Sequence, residues 1–260
     1  MKNENGVPTN GVYQFLRYLL NAVDTFQPTH VICCWDMGSK TFRTTMYEDY
    51  KGNRSAPPEE LIPQFDLVKE VVDAFDMPNI GIENFEADDC IGTLARQFSN
   101  ENEVLILTGD QDILQLVEPG ISVAIMRKGQ GNYEVFTEEN FYEKKGLQPK
   151  QIIDLKGLMG DTSDNYPGVK GIGEKTALKL LQEHETIDGL LENIDQLPKG
   201  VQTKIKTNLD MLHLSRRLAE IRCDVPIEVS LDKAGWKYNR EKVTQKFEEL
   251  QVNNLIKLLS

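Results

Sequence analysis

Eight acidic side chains fall into four compact groups along this 260-residue chain: Asp36; Glu86, Asp88 and Asp89; Asp110 and Asp112; and Asp161 and Asp164, in the run Gly160-Asp161-Thr162-Ser163-Asp164-Asn165. Single acids at helix starts are common caps, and an Asp-rich loop is commonly a plain turn, so no one group carries chemistry alone. Taken together they would repel strongly unless a hard cation with a preference for oxygen ligands sat among them. Mg²⁺ or Mn²⁺ fits that need best. With four scattered cysteines, no C-x-x-C pair and three isolated histidines, zinc and a disulfide framework are both excluded as expectations.

Three of the groups follow predicted strands. Val31–Trp35 reads as a buried strand and leads into Asp36. Ile80–Ile82 precedes Glu86, and Val104–Leu107 precedes Asp110. Between them lie helical patterns, beginning with one that Asn10 can cap and that carries Val12, Phe15, Leu16, Leu19, Leu20 and Val23. Alternating strands and helices predict an α/β fold with a largely parallel sheet, and in such sheets the strand C-termini share the edge where sites form. Six carboxylates from separate segments could therefore meet there. Glu86 and Asp89, three apart, share a helix face, and the first turn of a helix favours anions. Ile121–Met126 and Tyr133–Phe136 predict a hairpin. From Thr137 onward the patterns are almost all helical, so the expected division is an α/β domain over 1–136 and a helical domain over 137–260. Residues 41–64, polar and basic with Pro57, Pro58 and Pro63, are expected to be an exposed, mobile segment.

The net charge of −12 argues at first against nucleic acid, because phosphate contacts need Lys and Arg. Its placement changes that. Without the eight clustered acids, 33 acidic residues face 29 basic ones, and the basic ones gather around Arg43–Arg54 and Lys170–Lys179. Metal ions at the acidic centre would let such a protein bind DNA. Gly168-Val169-Lys170-Gly171-Ile172-Gly173-Glu174-Lys175-Thr176-Ala177 opens a helix. Its glycines let the backbone approach a ligand closely, and the new helix points N–H groups at an anion. No strand precedes it, so a dinucleotide-binding loop is not expected; a DNA phosphate gripped without regard to sequence is. No apolar run is long enough for a membrane span and no secretory signal is evident, so a reducing cytoplasmic setting and a monomer without membrane contact are the expectations.

Tyr50-Lys51-Gly52-Asn53-Arg54, Glu86-Ala87-Asp88-Asp89, Thr108-Gly109-Asp110-Gln111-Asp112, Gly160–Asn165 and the stretch Tyr166–Ala177 occur in the order found in bacterial 5′ nucleases. Over nearly its whole length the chain resembles the 5′→3′ exonuclease domain of bacterial DNA polymerase I and the flap endonucleases. With no room for a polymerase domain, the expectation is a stand-alone member. The resemblance implies a PIN-like α/β fold followed by a helical part with a helix–hairpin–helix over about 150–190. It implies a two-metal phosphodiesterase, with two Mg²⁺ ions about 4 Å apart (Mn²⁺ able to substitute) and a monovalent cation at the hairpin. Asp36, Glu86, Asp88 and Asp110 would belong to the first metal; Asp89, Asp112, Asp161 and Asp164 would complete the site. Lys51 and Arg54, in an arch-like segment, would neutralise the scissile phosphate. Arg43 would contact phosphate, Tyr50 would stack on a base, and Lys170, Gly171, Gly173 and Lys175 would hold duplex DNA carrying a 5′ end or flap.

The family also carries an earlier strand ending in Asp-Gly, whose aspartate is a metal ligand, and nothing before Gly6 supplies it. The expectation is an unpaired sheet edge, one ligand fewer and weak activity at this length. Alternatives are a PIN-like nuclease acting on RNA and a non-enzymatic DNA-binding relic.

Overall fold

The computed structural model describes residues 2–259. In chain order the elements are α1 (Asn10–Phe26), β1 (Cys33–Cys34), α2 (Phe42–Met46), α3 (Ile62–Ala74), β2 (Asn79–Ile80), α4 (Ala87–Phe98), β3 (Val104–Thr108), β4 (Ile121–Met126), β5 (Tyr133–Phe136), α5 (Glu138–Lys145), α6 (Gln151–Met159), α7 (Glu174–His184), α8 (Ile187–Glu192), α9 (Lys199–Thr207), α10 (Leu209–Ala219) and α11 (Arg240–Glu249). Short 3₁₀ turns follow β3 at Gln111–Leu116 and α11 at Asn253–Leu258.

The expected sheet forms as two small ones. β1 pairs parallel with β2, Cys33 opposite Asn79, while β3 pairs parallel with β4 and β4 antiparallel with β5. Helix α4 packs against both β1 and β3, so it joins the two sheets across their ends. The predicted hairpin has the bounds read from its alternation, because Val123 and Ile125 bury one face against Ile113 and Phe136. Helix α1 begins at Asn10, but Thr9 stands at the cap position and Asn10 instead accepts a bond from Gln64 (3.2 Å). No described helix is long and apolar enough to cross a membrane.

Three cores hold these elements. The first joins Val12, Leu16 and Leu20 of α1 with Val68, Val71 and Phe75 on and just after α3. It is completed by Val243 and Phe247 of α11 and by Val252, Leu255 and Leu259. The helical half is thus not closed on itself: its final segment returns to the front of the chain, because α11 has an apolar stripe and no other apolar face to cover. The second core lies under β3–β5, and the third joins α6, α7, α8 and α9 around Leu158, Leu181 and Ile205.

Residues 41–64 divide. Positions 52–60 are exposed, as expected of a polar, proline-rich stretch, whereas Arg43 and Tyr50 are buried at 2% and 4% exposure. Thr41 caps α2 and turns Arg43 inward. The Arg43 guanidinium then bonds both Asp89 oxygens (2.8 Å each), Glu86 Oε2 (3.2 Å) and the carbonyls of Leu218 (3.0 Å) and Glu220 (2.7 Å). Asp89, fully buried, also accepts from the backbone of Glu86 (3.0 Å) and Arg222 (2.8 Å). One ion pair therefore fastens α2, the first turn of α4 and the chain leaving α10. Burial opposes the Arg43 charge, but Asp89 and Glu86 outweigh it and raise its pKa further. This corrects two expectations. Arg43 faces the interior and not the solvent where a DNA phosphate would meet it, and both Asp89 oxygens accept from protein donors within that ion pair.

Asp89→Ala would leave the Arg43 charge buried without its acid, a loss of about 3–5 kcal/mol. Urea unfolding of parent and variant measures it. A loss under about 1 kcal/mol, the range of ordinary surface positions, would mean that this pair anchors nothing.

Candidate active site

Two acid groups lie side by side. Helix α4 opens at Glu86, whose backbone N–H bonds Asp89 as in a capping box, and Asp36 accepts from Ala87 N (2.7 Å) in the same first turn. Asp36 thus arrives from the end of β1 to satisfy an orphan donor of α4 and lies beside Asp88. From the end of β3, Asp110 caps the following 3₁₀ turn through Asp112 N (2.9 Å). Burial, then the charges of Asp110, Glu86 and Asp36, push the Asp88 carboxyl up to about 7, with Lys51 alone pulling it down.

The second group is tighter. Carboxylate oxygens of Asp112, Asp161 and Asp164 all lie within 4.8 Å of one another. The loop carrying the latter two is held by a close backbone contact. Gly160 and Gly168 have φ of 72° and 59°, and a Cβ at Gly168 would stand 2.3 Å from Gly160 N, so only glycine fits there. Asp161 N and O pair with Tyr166 O and N (2.8 and 3.0 Å), closing the loop. Asp161 Oδ1 accepts from Ser163 N (2.7 Å), Ser163 Oγ (2.6 Å) and Asp164 N (3.2 Å). Lys156, on the last turns of α6, bonds Asp112 (2.8 Å) and Asp161. Burial raises the Asp112 carboxyl, whereas Asp161 is held low against its burial by Lys156 and Ser163.

The segment after α2 joins the groups. Tyr50 Oη stands between Glu86 (3.2 Å) and Asp164 (3.1 Å). Lys51 Nζ bonds Glu86 (2.7 Å), its N–H bonds Asp164 O (2.8 Å), and its φ of 55° is the left-handed strain common at functional positions. Arg54 bonds Asp164 (2.6 Å). Tyr50, expected to stack on a base, is packed inside against Tyr166 instead (centroids 6.3 Å, 17° between planes).

The structure therefore gathers Asp112, Asp161 and Asp164 most closely, sets Asp36, Glu86, Asp88 and Asp110 beside them, and withdraws Asp89 and Arg43. Lys170, Gly171, Gly173 and Lys175 lie apart at the turn before α7, all exposed. Gly171 takes φ of 84° and its carbonyl accepts from Lys204 of α9 (3.0 Å). Sequence reasoning missed Lys156, Tyr166 and Lys204. Lys156 sits five residues before Asp161, and that spacing to an acid-rich loop was its only signal.

The donors suit a hard divalent cation. They are carboxylate oxygens, and the Asp88 carboxyl is raised by its burial first and then by the charges of Asp110 and Glu86, both of which a cation would relieve.

A family model described as the 5′-3′ exonuclease, N-terminal resolvase-like domain, matches residues 1–146, and one described as the 5′-3′ exonuclease, C-terminal SAM fold, matches residues 147–242. The chain belongs to the 5′-3′ exonuclease family. It is 56% identical to the 5′-3′ exonuclease of Bacillus subtilis over 259 residues, which cover 100% of this chain and 88% of that protein. It is 45% identical to the DNA polymerase I of Bacillus caldotenax, matching 96% of this chain but 29% of the polymerase. T5 5′-exonuclease with bound zinc has a similar structure (TM-score 0.66, 22% identity, 96% of this chain and 93% of that one), as does the catalytic core of Rad2 in complex with DNA substrate (0.63, 15%, 100% and 87%). At those identities the likeness speaks for the fold, a PIN-like α/β part followed by a helical part.

A raised carboxyl has a stability signature. The folded chain binds the Asp88 proton more tightly than the unfolded chain, whose carboxyl stays near 3.8. Stability is then unaffected below about pH 4, falls as pH rises toward about 7 and is level above. In chelator, the melting temperature should fall across that window, and Asp88→Asn should flatten the fall. An unchanged slope in the variant would remove Asp88 as its source.

Proposed function

We propose that this chain is a divalent-metal-dependent 5′ nuclease of DNA, acting as a 5′→3′ exonuclease and flap endonuclease without sequence preference, in replication or repair. The observation that carries this reading is the convergence of two carboxylate groups beneath Lys51 and Arg54 in a member of the 5′-3′ exonuclease family. Asp36, Glu86, Asp88 and Asp110 would hold one cation, and Asp112, Asp161 and Asp164 the other. Mg²⁺ is the expected ion. When bound, the two cations supply the Lewis-acid charge that makes water a nucleophile and stabilises the leaving oxygen.

The chain's own residues do the rest. Lys51 and Arg54 now neutralise Glu86 and Asp164. Both side chains would turn to the phosphate of a 5′ strand led in by the exposed stretch 52–60. Tyr50 has the part of a strut between the two groups. The α/β part, 1–136, would supply most of the cutting site, and the helical part, 137–260, would add Asp161 and Asp164 to it and grip the duplex. There the exposed Gly171 and Gly173 let a DNA backbone come close, and Lys170 and Lys175 supply charge without reading bases.

The decisive experiment incubates the purified chain with 5′-labelled duplex, 5′-flap and RNA substrates, in Mg²⁺, Mn²⁺ and chelator. Metal-dependent release from the 5′ end of DNA is expected. Cleavage confined to RNA would transfer the reading to an RNA nuclease, and binding without cleavage to a DNA-binding relic. Asp110→Ala or Asp161→Ala should lower turnover at least about a hundredfold while duplex binding persists, in line with loss of a residue that acts on the reacting charge. Near-normal turnover at saturating Mg²⁺ would remove that residue from the metal site. Lys170→Ala with Lys175→Ala should weaken binding about equally for unrelated duplexes and shrink the slope of log K against log salt by up to about two. With the slope unchanged, the two lysines would be ordinary solvated charges.

A further inference from the structure

Tyr166 stands at the tighter acid group with a hydroxyl that no protein atom satisfies. It is 3% exposed, and its Oη is one of two buried side-chain polar atoms among the described residues without a hydrogen-bond partner. Leaving such a group unpaired is costly, so a buried hydroxyl in a polar setting is ordinarily met by ordered water. Its position is fixed on every side. The backbone is paired in both directions with Asp161, the ring stacks on Tyr50, and Leu218 and Ala219 close the apolar flank.

The carboxylates whose charge acts most on this hydroxyl are Asp112, Asp161 and Asp164, the same three whose oxygens converge. Those oxygens are already taken by protein donors: Lys156 on Asp112 and Asp161, Ser163 on Asp161, Arg54 and Tyr50 on Asp164. Tyr166 bonds none of them directly. A buried donor held in place next to the acid loop, under the influence of three carboxylates and bonded to none of them, is suited to a group held between them. Tyr50 shows the contrast, since its hydroxyl reaches Glu86 and Asp164 without help.

We propose that the Tyr166 hydroxyl is a positioning donor to a water held at the Asp112–Asp161–Asp164 group, and that this bond sets how tightly the group grips a divalent cation. The proposal rests on the metal-site reading of these acids. Tyr166 touches neither the reacting phosphate nor the cation. It orients the water that does, as outer partners of metal sites orient inner ones.

Tyr166→Phe removes one oxygen and keeps the ring in its stack, so the fold should survive. The test measures Mn²⁺ binding to the chelator-stripped chain, without DNA, by calorimetry and electron paramagnetic resonance, alongside the melting temperature with and without Mn²⁺. Two ions should bind to both proteins, with one of them loosened about tenfold to a hundredfold by the substitution and the other unaltered. The Mn²⁺-induced rise in melting temperature should shrink accordingly, while the metal-free melting temperature is unchanged or higher. Equal affinities and equal rises would overturn the proposal and leave the metal reading standing. Asp161→Asn separates the two failures: if it too leaves Mn²⁺ binding unaltered, the metal reading falls, and the role of Tyr166 with it.

Discussion

A guanidinium buried at 2% exposure is the constraint on which this site depends. Arg43 cannot be left unpaired in the interior, so Asp89 and two carbonyls at the end of α10 must close around it. In closing, they bring the first turn of α4, the base of the exposed stretch and the end of α10 to one point. Glu86, bonded by the same guanidinium, is fixed at the centre of the acid groups as a result. The ion pair adds no chemistry. It decides where the chemistry can happen.

Around that point, three further cations are shared among the acids. Lys51 serves Glu86, Arg54 serves Asp164, and Lys156 serves Asp112 and Asp161. The supply is uneven. Asp161 is held low and ionised, whereas Asp88, with only Lys51 acting in its favour, rises toward neutrality. The stretch of chain that supplies Lys51 and Arg54 is also exposed, so on the proposed reading metal ions would compete with these two cations for the carboxylates, and the phosphate of an incoming strand would compete with the carboxylates for the two cations. Such competition couples the binding of one to the release of another.

Much of this was legible in the residues. The strands before Asp36, Glu86 and Asp110, the hairpin, and the glycine-rich turn before α7 all announce themselves locally through alternation, helix starts and glycine spacing. What was hidden is tertiary. Nothing local distinguishes Asp88 from Asp89, adjacent in one motif; a partner 46 residues away turns one inward and leaves the other for the site. Arg43 and Tyr50 sit in a polar, proline-rich stretch and read as surface, but Thr41 caps α2 and turns the arginine in. The single sheet expected from alternating elements is two, because β1 and β2 are two residues each and α4 bridges them to β3. Lys156 looked like an ordinary helical lysine until the Gly160–Gly168 contact folded the acid loop back onto it.

The first core is assembled from both ends of the sequence: Val12, Leu16 and Leu20 meet Val243, Phe247 and Leu255 across more than two hundred intervening residues. As the chain leaves the ribosome, the core that α1 and α3 share stays incomplete until residues 243–259 have been made. The α/β part therefore cannot lock early and wait for the rest, as an N-terminal unit commonly does. Completion of that core is thereby tied to synthesis of residues 243–259.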